Sequence, residues 1–260
     1  MNYRILVTDL INNAGLELLR AADDVEVDII QDLTAAELRE RAPGYDALIT
    51  RSGTSLDAAF FEAAAGHVRI AARAGVGLEN IDVQAATLAG VMVMNIPEVN
   101  ARAAAEHAFA LLLALCRNVP QANARLREGV WERHIFLGMQ LAGKTLGIIG
   151  MGRIGRLVAA RARAFDMHVI AFDPYIPEDV ADSLRVELVE VLDEIFPRAD
   201  FITLHTQLTD ETRGLIGPGQ IALMKKGVRI INTARGALID ENALLEALKS
   251  GQVAGAGLDV

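Results

Sequence analysis

Apolar positions along this chain follow two rhythms that alternate. Short apolar runs read as strands, and stretches with apolar residues three and four apart read as helices. Residues 4–8 predict a strand and residues 14–21 a helix, with Leu16 and Leu19 on its apolar side. Residues 25–30 alternate at period two, a half-buried strand. Thr34 and Glu37 have capping-box spacing and open a short helix that ends near Pro43-Gly44. Strands follow at 47–50 and 69–73, with a helix over 56–65 between them. Residues 83–88 predict a helix stopped by Gly90, and 91–95 a strand ended by Pro97. The repeated βα alternation predicts parallel sheets with helices on both faces.

A long helix is expected over 101–117 and is apolar on most faces. Such a helix is usually buried between two bodies, so it reads as the element joining two domains. Pro120 is expected to end it, and 121–127 to form another short helix. Alternation then resumes, with strands at 146–149, 168–172, 186–189, 200–205 and 228–232. Helices are expected from the glycines after 149 to Phe165, around 221–224, and over 242–248 before Gly251. Residues 254–260 lie in or just after a last strand, so the chain reads as cut before its natural end.

Gly150-x-Gly152-x-x-Gly155 sits between a strand and a helix. Gly150 permits the tight turn, Gly152 lets the backbone approach a pyrophosphate, and Gly155 lets helix pack on strand. The N–H groups at the helix start then face the phosphates. The next strand ends at Asp173, about 20 residues on, where a ribose-binding acid is expected. A carboxylate there accepts hydrogen bonds from the 2′-hydroxyl of NAD. It would repel the 2′-phosphate of NADP by up to about 4 kcal/mol at ~4 Å and an effective dielectric near 20. Arg161 and Arg163 precede Asp173 and form no obvious phosphate clamp. The expected cofactor is NAD.

Charge and composition narrow the partners. The 260 residues are 52% hydrophobic and 23% charged, an ordinary globular balance that suits two domains. A net charge of −9 disfavours nucleic acid or an anionic membrane as a bulk partner. The one cysteine, Cys116, is expected as a buried core thiol and can build neither a disulfide framework nor a metal cluster. The N-terminus runs straight into a strand without a signal-peptide layout, and the longest apolar stretch, 108–116, is too short to span a bilayer. A cytoplasmic location is expected.

Several further segments, in order, resemble the NAD-dependent D-2-hydroxyacid dehydrogenases. They are Arg51-Ser-Gly-Thr54, Arg73-Ala-Gly-Val-Gly-Leu-Glu-Asn-Ile-Asp82, Asn95-Ile-Pro-Glu-Val-Asn100, Ala105-Glu106-His107 and Asp200-Phe-Ile-Thr-Leu-His-Thr206. Lys226-Gly-Val-Arg-Ile-Ile-Asn-Thr-Ala-Arg-Gly236 and residues 254–260 continue the match. Trp131-Glu-Arg133 with Gly143-Lys-Thr-Leu-Gly147 is similar to the phosphoglycerate branch. The resemblance covers essentially the whole chain.

It implies an α/β protein of two doubly wound parallel-sheet domains. Residues 1–98 would be an incomplete, flavodoxin-like substrate domain. Residues 99–260 would be a Rossmann dinucleotide-binding domain lacking its C-terminal end, with the active site in the cleft between the two. The implied activity is NAD-dependent oxidation of a D-2-hydroxy acid, 3-phosphoglycerate to 3-phosphohydroxypyruvate, the first step of serine biosynthesis. A homodimer or homotetramer is implied.

Residue roles are carried over in the same way. Arg235 matches the catalytic arginine that binds the substrate carboxylate; its planar fork gives two parallel hydrogen bonds and stays charged. Arg51, Ser52 and Gly53 match the substrate-anion loop, with Arg51 a cation for the remote phosphate. Val76 and Gly77 match backbone that meets substrate and nicotinamide, and Asn100 a position near the cleft. Glu98-Val99 replaces the usual glycine-containing turn there. Arg153 and Ile154 would meet the pyrophosphate, beside Gly150, Gly152, Gly155 and Asp173. Thr206, Thr233, Ala234, Arg235 and Asp259 would line the path from adenine to nicotinamide. Gln207 replaces a usual proline, so the adenine loop is expected to be less rigid. Ala237 replaces a usual glycine, and a left-handed backbone there would be strained.

Hydride transfer from an alcohol also requires a base for the hydroxyl proton. In the family this is a histidine oriented by an acidic residue, and both match positions after Val260. His67 and His134 read as surface loop residues, His168 starts a strand, His205 ends one near adenine, and His107 reads as a satisfied core histidine. The 260 residues are therefore expected to turn over slowly or not at all. The competing readings are a glyoxylate or hydroxypyruvate reductase, which would tend to prefer NADPH, and a non-catalytic NAD-sensing binding module.

Overall fold

A computed structural model of the chain describes residues 2–97 and 99–260. Glu98, half of the Glu98-Val99 departure, lies outside the described residues. The chain divides into two compact units, Met1–Asn100 and Ala101–Val260.

The first unit holds a five-stranded parallel sheet of β1 (Tyr3–Val7), β2 (Val25–Ile29), β3 (Ala47–Thr50), β4 (Ile70–Arg73) and β5 (Met92–Met94), in the order β2-β1-β3-β4-β5. Its helices are α1 (Asn13–Arg20), α2 (Ala35–Arg41), α3 (Ala58–Ala64) and α4 (Val83–Leu88). The Thr34–Glu37 capping box is formed. Leu6, Leu48, Ala71, Phe60 and Phe61 meet in one core. The helix expected from residue 56 starts at Ala58, because the Asp57 side chain caps it by accepting from the Phe60 N–H. Leu56 pairs instead with Ile81 in an isolated parallel bridge.

The second unit opens with α5 (Ala101–Arg117) and α6 (Val119–Arg127). Pro120 does not end α5. Asn118 does, in a left-handed conformation at φ 51°, and Pro120 sits in the first turn of α6, where a missing N–H costs nothing. Then follow β6 (Thr145–Ile149), α7 (Arg153–Ala164), β7 (His168–Phe172), α8 (Glu178–Leu184), β8 (Glu187–Leu188), β9 (Phe201–Leu204), α9 (Pro218–Leu223), β10 (Val228–Asn232), α10 (Glu241–Ser250) and β11 (Val253–Leu258). All six strands are parallel, in the order β11-β10-β9-β6-β7-β8.

Both faces of this sheet are buried. Leu146, Ile148, Phe201 and Ile231 pack on one side with Phe109 and Leu112 of α5 and Val158 of α7. Ile149, Ile202, Leu204 and Ile230 pack on the other with Phe196, Ile221 and Leu244. Successive strand side chains point to opposite faces, so double burial demands unbroken apolar runs, as the sequence has. The expected α/β architecture of parallel sheets with helices on both faces is met. α5 packs against α7, β10 and β11, and Cys116 on it is buried. No helix among the described residues is long and apolar enough to cross a membrane.

Candidate functional site

In a parallel sheet all carboxyl ends of the strands lie on one rim, and ligands bind where neighbouring connections diverge. In the second unit that point lies between β6 and β9, the strands flanking the reversal of order. Of the segments that leave this rim, the five after β6, β7, β9, β10 and β11 carry all the expected cofactor residues of the unit.

After β6 the chain turns at Gly150, φ 95°, a conformation that favours glycine. A Cβ there would stand 2.7 Å from the His205 carbonyl carbon and the Thr206 nitrogen, so the loop after β9 rests directly on the bend. A Cβ on Gly155 would run into the Gly150 carbonyl oxygen, which is how close α7 lies to its strand. Gly152 is the opposite case: a Cβ there would meet nothing within 4 Å. It is the N-cap of α7, and no side-chain hydrogen bond caps that helix. The helix start therefore keeps open space and donor capacity, which suits a diphosphate. Arg153 is exposed and Ile154 half-buried in the first turn.

Asp173, just after β7, reaches back to this bend. Its Oδ2 accepts from the Met151 N–H at 2.7 Å and its Oδ1 from the Tyr175 N–H at 2.9 Å. Each carboxylate oxygen retains a further lone pair for ribose hydroxyls. Arg161 is engaged elsewhere, with Glu106 at 3.0 Å and the Leu157 carbonyl at 2.9 Å.

Asn232 shapes the loop after β10. Its Nδ2 donates to the Arg235 carbonyl at 2.8 Å, and its Oδ1 accepts from the Ala234 N–H at 3.0 Å. Its carbonyl accepts from the Asp259 N–H at 3.1 Å, tying this loop to the end of β11. Within the loop the Thr233 hydroxyl oxygen is buried without a hydrogen-bond partner. A buried orphan hydroxyl on a ligand rim fits a bound group that would complete it. Arg235 Nη1 donates to the Ala234 carbonyl at 2.7 Å. Ala237 lies in a short 3-10 turn, Gly236–Leu238, and not in the left-handed region, so replacing glycine there strains nothing.

Two histidines border the rim. Burial pushes the His205 imidazole down to about 4, so it is neutral at pH 7, with Nε2 2.9 Å from the Thr203 hydroxyl. His107 is not a core histidine. It lies on the outward stripe of α5 with Ala103, Glu106 and Ala110, half exposed, and its Nε2 is 3.2 Å from Asp259 Oδ1. The apolar positions of α5 outnumber one stripe, and Ala105, Ala108, Phe109, Leu112 and Cys116 face the core, with Leu111 and Leu113 packed against it.

The first unit has its own switch point, between β1 and β3. Arg51, Ser52 and Gly53 form the exposed loop after β3. Val76 and Gly77 lie half-buried in the loop after β4, where the Val76 carbonyl accepts from Asn95 Nδ2 at 2.6 Å. Asn80 joins the two loops, donating from Nδ2 to the carbonyls of Arg51 and Thr54 at 2.7 and 2.5 Å. Asn100 is exposed at the last residue of the unit. Arg73, only 8% exposed, lies under the β4 loop with Nη2 3.3 Å from Glu79, its Nε buried without a partner.

The sequence left Asp9 unmarked, and it gave Arg73, Asn80 and Asn232 no role although they lie in segments that carry the resemblance. The available signal was their position, each at or just past the end of a strand or in the loop after it.

The sequence model of the D-isomer specific 2-hydroxyacid dehydrogenase NAD-binding domain matches residues 109–260, a span that contains the glycine bend, Asp173, Asn232 and Asp259. The chain belongs to the D-isomer specific 2-hydroxyacid dehydrogenase family. NAD is the cofactor that this family domain binds. A D-3-phosphoglycerate dehydrogenase of Methanocaldococcus jannaschii is 50% identical over 257 residues, 99% of this chain and 48% of that protein. The chain thus spans about half the length of the curated relatives it matches. Among solved structures, the TT0316 protein of Thermus thermophilus aligns with a TM-score of 0.90 at 38% identity, over 99% of this chain and 81% of that one. A glyoxylate reductase from Paecilomyes thermophila aligns with a TM-score of 0.90 at 35% identity, over 100% of this chain and 81% of that one. On the rim of this dehydrogenase domain, Gly150, Asp173 and Thr206 converge at the bend, while Thr233, Ala234, Arg235 and Asp259 gather around Asn232.

Proposed function

We propose that this protein takes part in NAD-dependent oxidation of a D-2-hydroxy acid, 3-phosphoglycerate, to 3-phosphohydroxypyruvate. The observation that carries the reading is the Asp173 carboxylate turned onto the Met151 N–H. It sets a ribose acceptor beside the uncapped start of α7, where a diphosphate fits. The choice of 3-phosphoglycerate is supported by relatives of that name at 44–50% identity. It is supported also by Arg51 in an exposed loop that can receive a remote phosphate.

When bound, NAD supplies a hydride acceptor. The chain supplies the geometry. Gly152 and the first turn of α7 receive the diphosphate, with Arg153 and Ile154 beside it. Asp173 accepts from the adenosine ribose. Thr206, Thr233 and Ala234 flank the dinucleotide, and Asp259 takes the nicotinamide carboxamide. Arg235 pairs its fork with the substrate carboxylate and orients the carbinol carbon. Val76, Gly77 and Asn100 border the substrate, whose phosphate is held by Arg51 with Ser52 and Gly53. The hydroxyl proton needs a base. Neutral His205, already engaged with Thr203, is not assigned to it.

The protein is placed in the cytoplasm as a homodimer or homotetramer. In support of self-association, Trp131 and Leu137 line one surface pocket and are 71% and 83% exposed. An apolar cluster of this kind marks an association surface. Calorimetric titration with NAD, NADP and 3-phosphoglycerate tests the whole reading. Equal affinity for NADP removes the ribose assignment. NAD binding without any effect of phosphorylated hydroxy acids supports a nucleotide-sensing module instead.

A further inference from the structure

Asp9 stands two residues past β1, the strand beside which the sheet order of the first unit reverses. Its Oδ2 accepts from the Thr8 hydroxyl at 3.0 Å, the Thr50 hydroxyl at 2.8 Å and the Arg51 N–H at 3.0 Å. Its Oδ1 accepts from the Gly53 N–H at 3.0 Å. Burial by itself would raise the Asp9 carboxyl, but the Arg51 N–H and the Thr54, Thr50 and Thr8 hydroxyls outweigh it and hold the group ionised below its usual range.

The loop is closed around this carboxylate. A Cβ on Gly53 would stand 2.5 Å from Asp9 Oδ1, so only glycine lets the loop come this near. The Arg51 guanidinium is held by the same segment, donating from Nη1 to the Leu10 carbonyl at 3.2 Å. Asn80 grips the opposite side of the loop through the carbonyls of Arg51 and Thr54. Inward donors are thus matched to a carboxylate and carbonyls to an amide.

We propose that Asp9 is the positioning residue of the substrate-phosphate loop, fixing where Arg51 and Ser52 present their side chains without touching the substrate. This rests on reading that loop as the phosphate-binding one. Asp9 cannot contact a phosphate itself, because both groups only accept hydrogen bonds and both are negative. The Arg51 and Gly53 N–H groups are committed to Asp9 and are not offered to an anion. The anion is left to the Arg51 guanidinium and the Ser52 hydroxyl.

The test is calorimetric titration of the full chain with 3-phosphoglycerate and, separately, with NAD. Asp9→Ala is expected to weaken 3-phosphoglycerate on the order of tenfold and leave NAD affinity unchanged. Asp9→Asn keeps one acceptor oxygen and is expected to restore part of the loss. Gly53→Ala is expected to weaken 3-phosphoglycerate in the parent but to add nothing in the Asp9→Ala background, where the obstructed atom is gone. Arg51→Ala separates the two levels of the argument. If Arg51→Ala weakens binding and Asp9→Ala does not, the positioning role is wrong and the loop reading stands. If Arg51→Ala binds like the parent, the loop reading falls and takes the inference with it. Parallel loss of NAD and 3-phosphoglycerate affinity with a lowered melting temperature would make Asp9 merely structural. Should Asp9→Ala not fold, unchanged affinity in both Asp9→Asn and Gly53→Ala would overturn the proposal.

Discussion

Asp173 Oδ2 accepts a hydrogen bond from the Met151 N–H at 2.7 Å, joining two positions 22 residues apart in the chain. The bond brings the carboxylate after β7 onto the glycine bend after β6. Replacing Asp173 by Ala removes the ribose acceptor and the partner of a bend amide together. Hydrogen bonds to a charged group are worth about 1.5–3 kcal/mol, so NAD affinity is expected to fall by roughly ten- to a hundredfold. NADP affinity should change far less, since its phosphate loses a repelling neighbour. Titrating both nucleotides against both proteins checks this, and a parallel loss for the two would refute it.

Gly152 and Gly155 are expected to part company when each becomes alanine. At Gly155 the added methyl runs into the Gly150 carbonyl, so α7 must move off its strand. That is overpacking of a tight core contact, with an expected cost of about 1–3 kcal/mol and a lower melting temperature. At Gly152 the methyl enters open space at φ −64°, so stability should hold while NAD binding fails. Thermal melts beside NAD titrations separate the two outcomes.

His205 predicts an acid-side loss of stability. Its folded value is about 4, below the ordinary 6.5. Between those values the unfolded chain binds more protons than the folded one. Stability therefore falls as pH drops through that window and levels off below it. The full effect is as much as roughly 3 kcal/mol. In His205→Gln this slope should be absent, although the backbone contact with Gly150 remains. Denaturant midpoints measured from pH 7 to pH 4 provide the check, and identical slopes would contradict it.

Arg235→Lys keeps the charge and loses the fork. A point cation cannot make two parallel bonds to a carboxylate. The expected loss in 3-phosphoglycerate affinity is about a hundredfold, or roughly 3 kcal/mol, with NAD affinity little altered. Calorimetric titration with 3-phosphoglycerate beside titration with NAD distinguishes this from general damage to the rim.

Much of the fold was legible because both sheet faces of the second unit are buried. Strands such as His168–Phe172 and Thr145–Ile149 then read as near-continuous apolar runs. The helix Ala101–Arg117 stood out for its length. The helix Glu178–Leu184 did not, since only Ala181 in it is buried and its apolar stripe is three residues, Val180, Ala181 and Leu184. At the site, the glycine bend carries a local spacing. The residues that hold the loops do not: Asp9 meets Gly53 across 44 positions, and Asn80 meets Arg51 across 29. Such partners are set by tertiary closure, which leaves no periodic trace along the chain. Asn118 shows the same limit, because its left-handed turn ended α5 where proline seemed the obvious stop.

Asn232 grips the 233–235 turn with its side chain and the end of β11 with its carbonyl. Two neighbouring segments therefore share a single bolt. Side chains along either segment can be exchanged while the bolt stays seated, but lengthening one segment would drag the other out of line. Change in these two segments is thereby expected to run through residue identity and not through length.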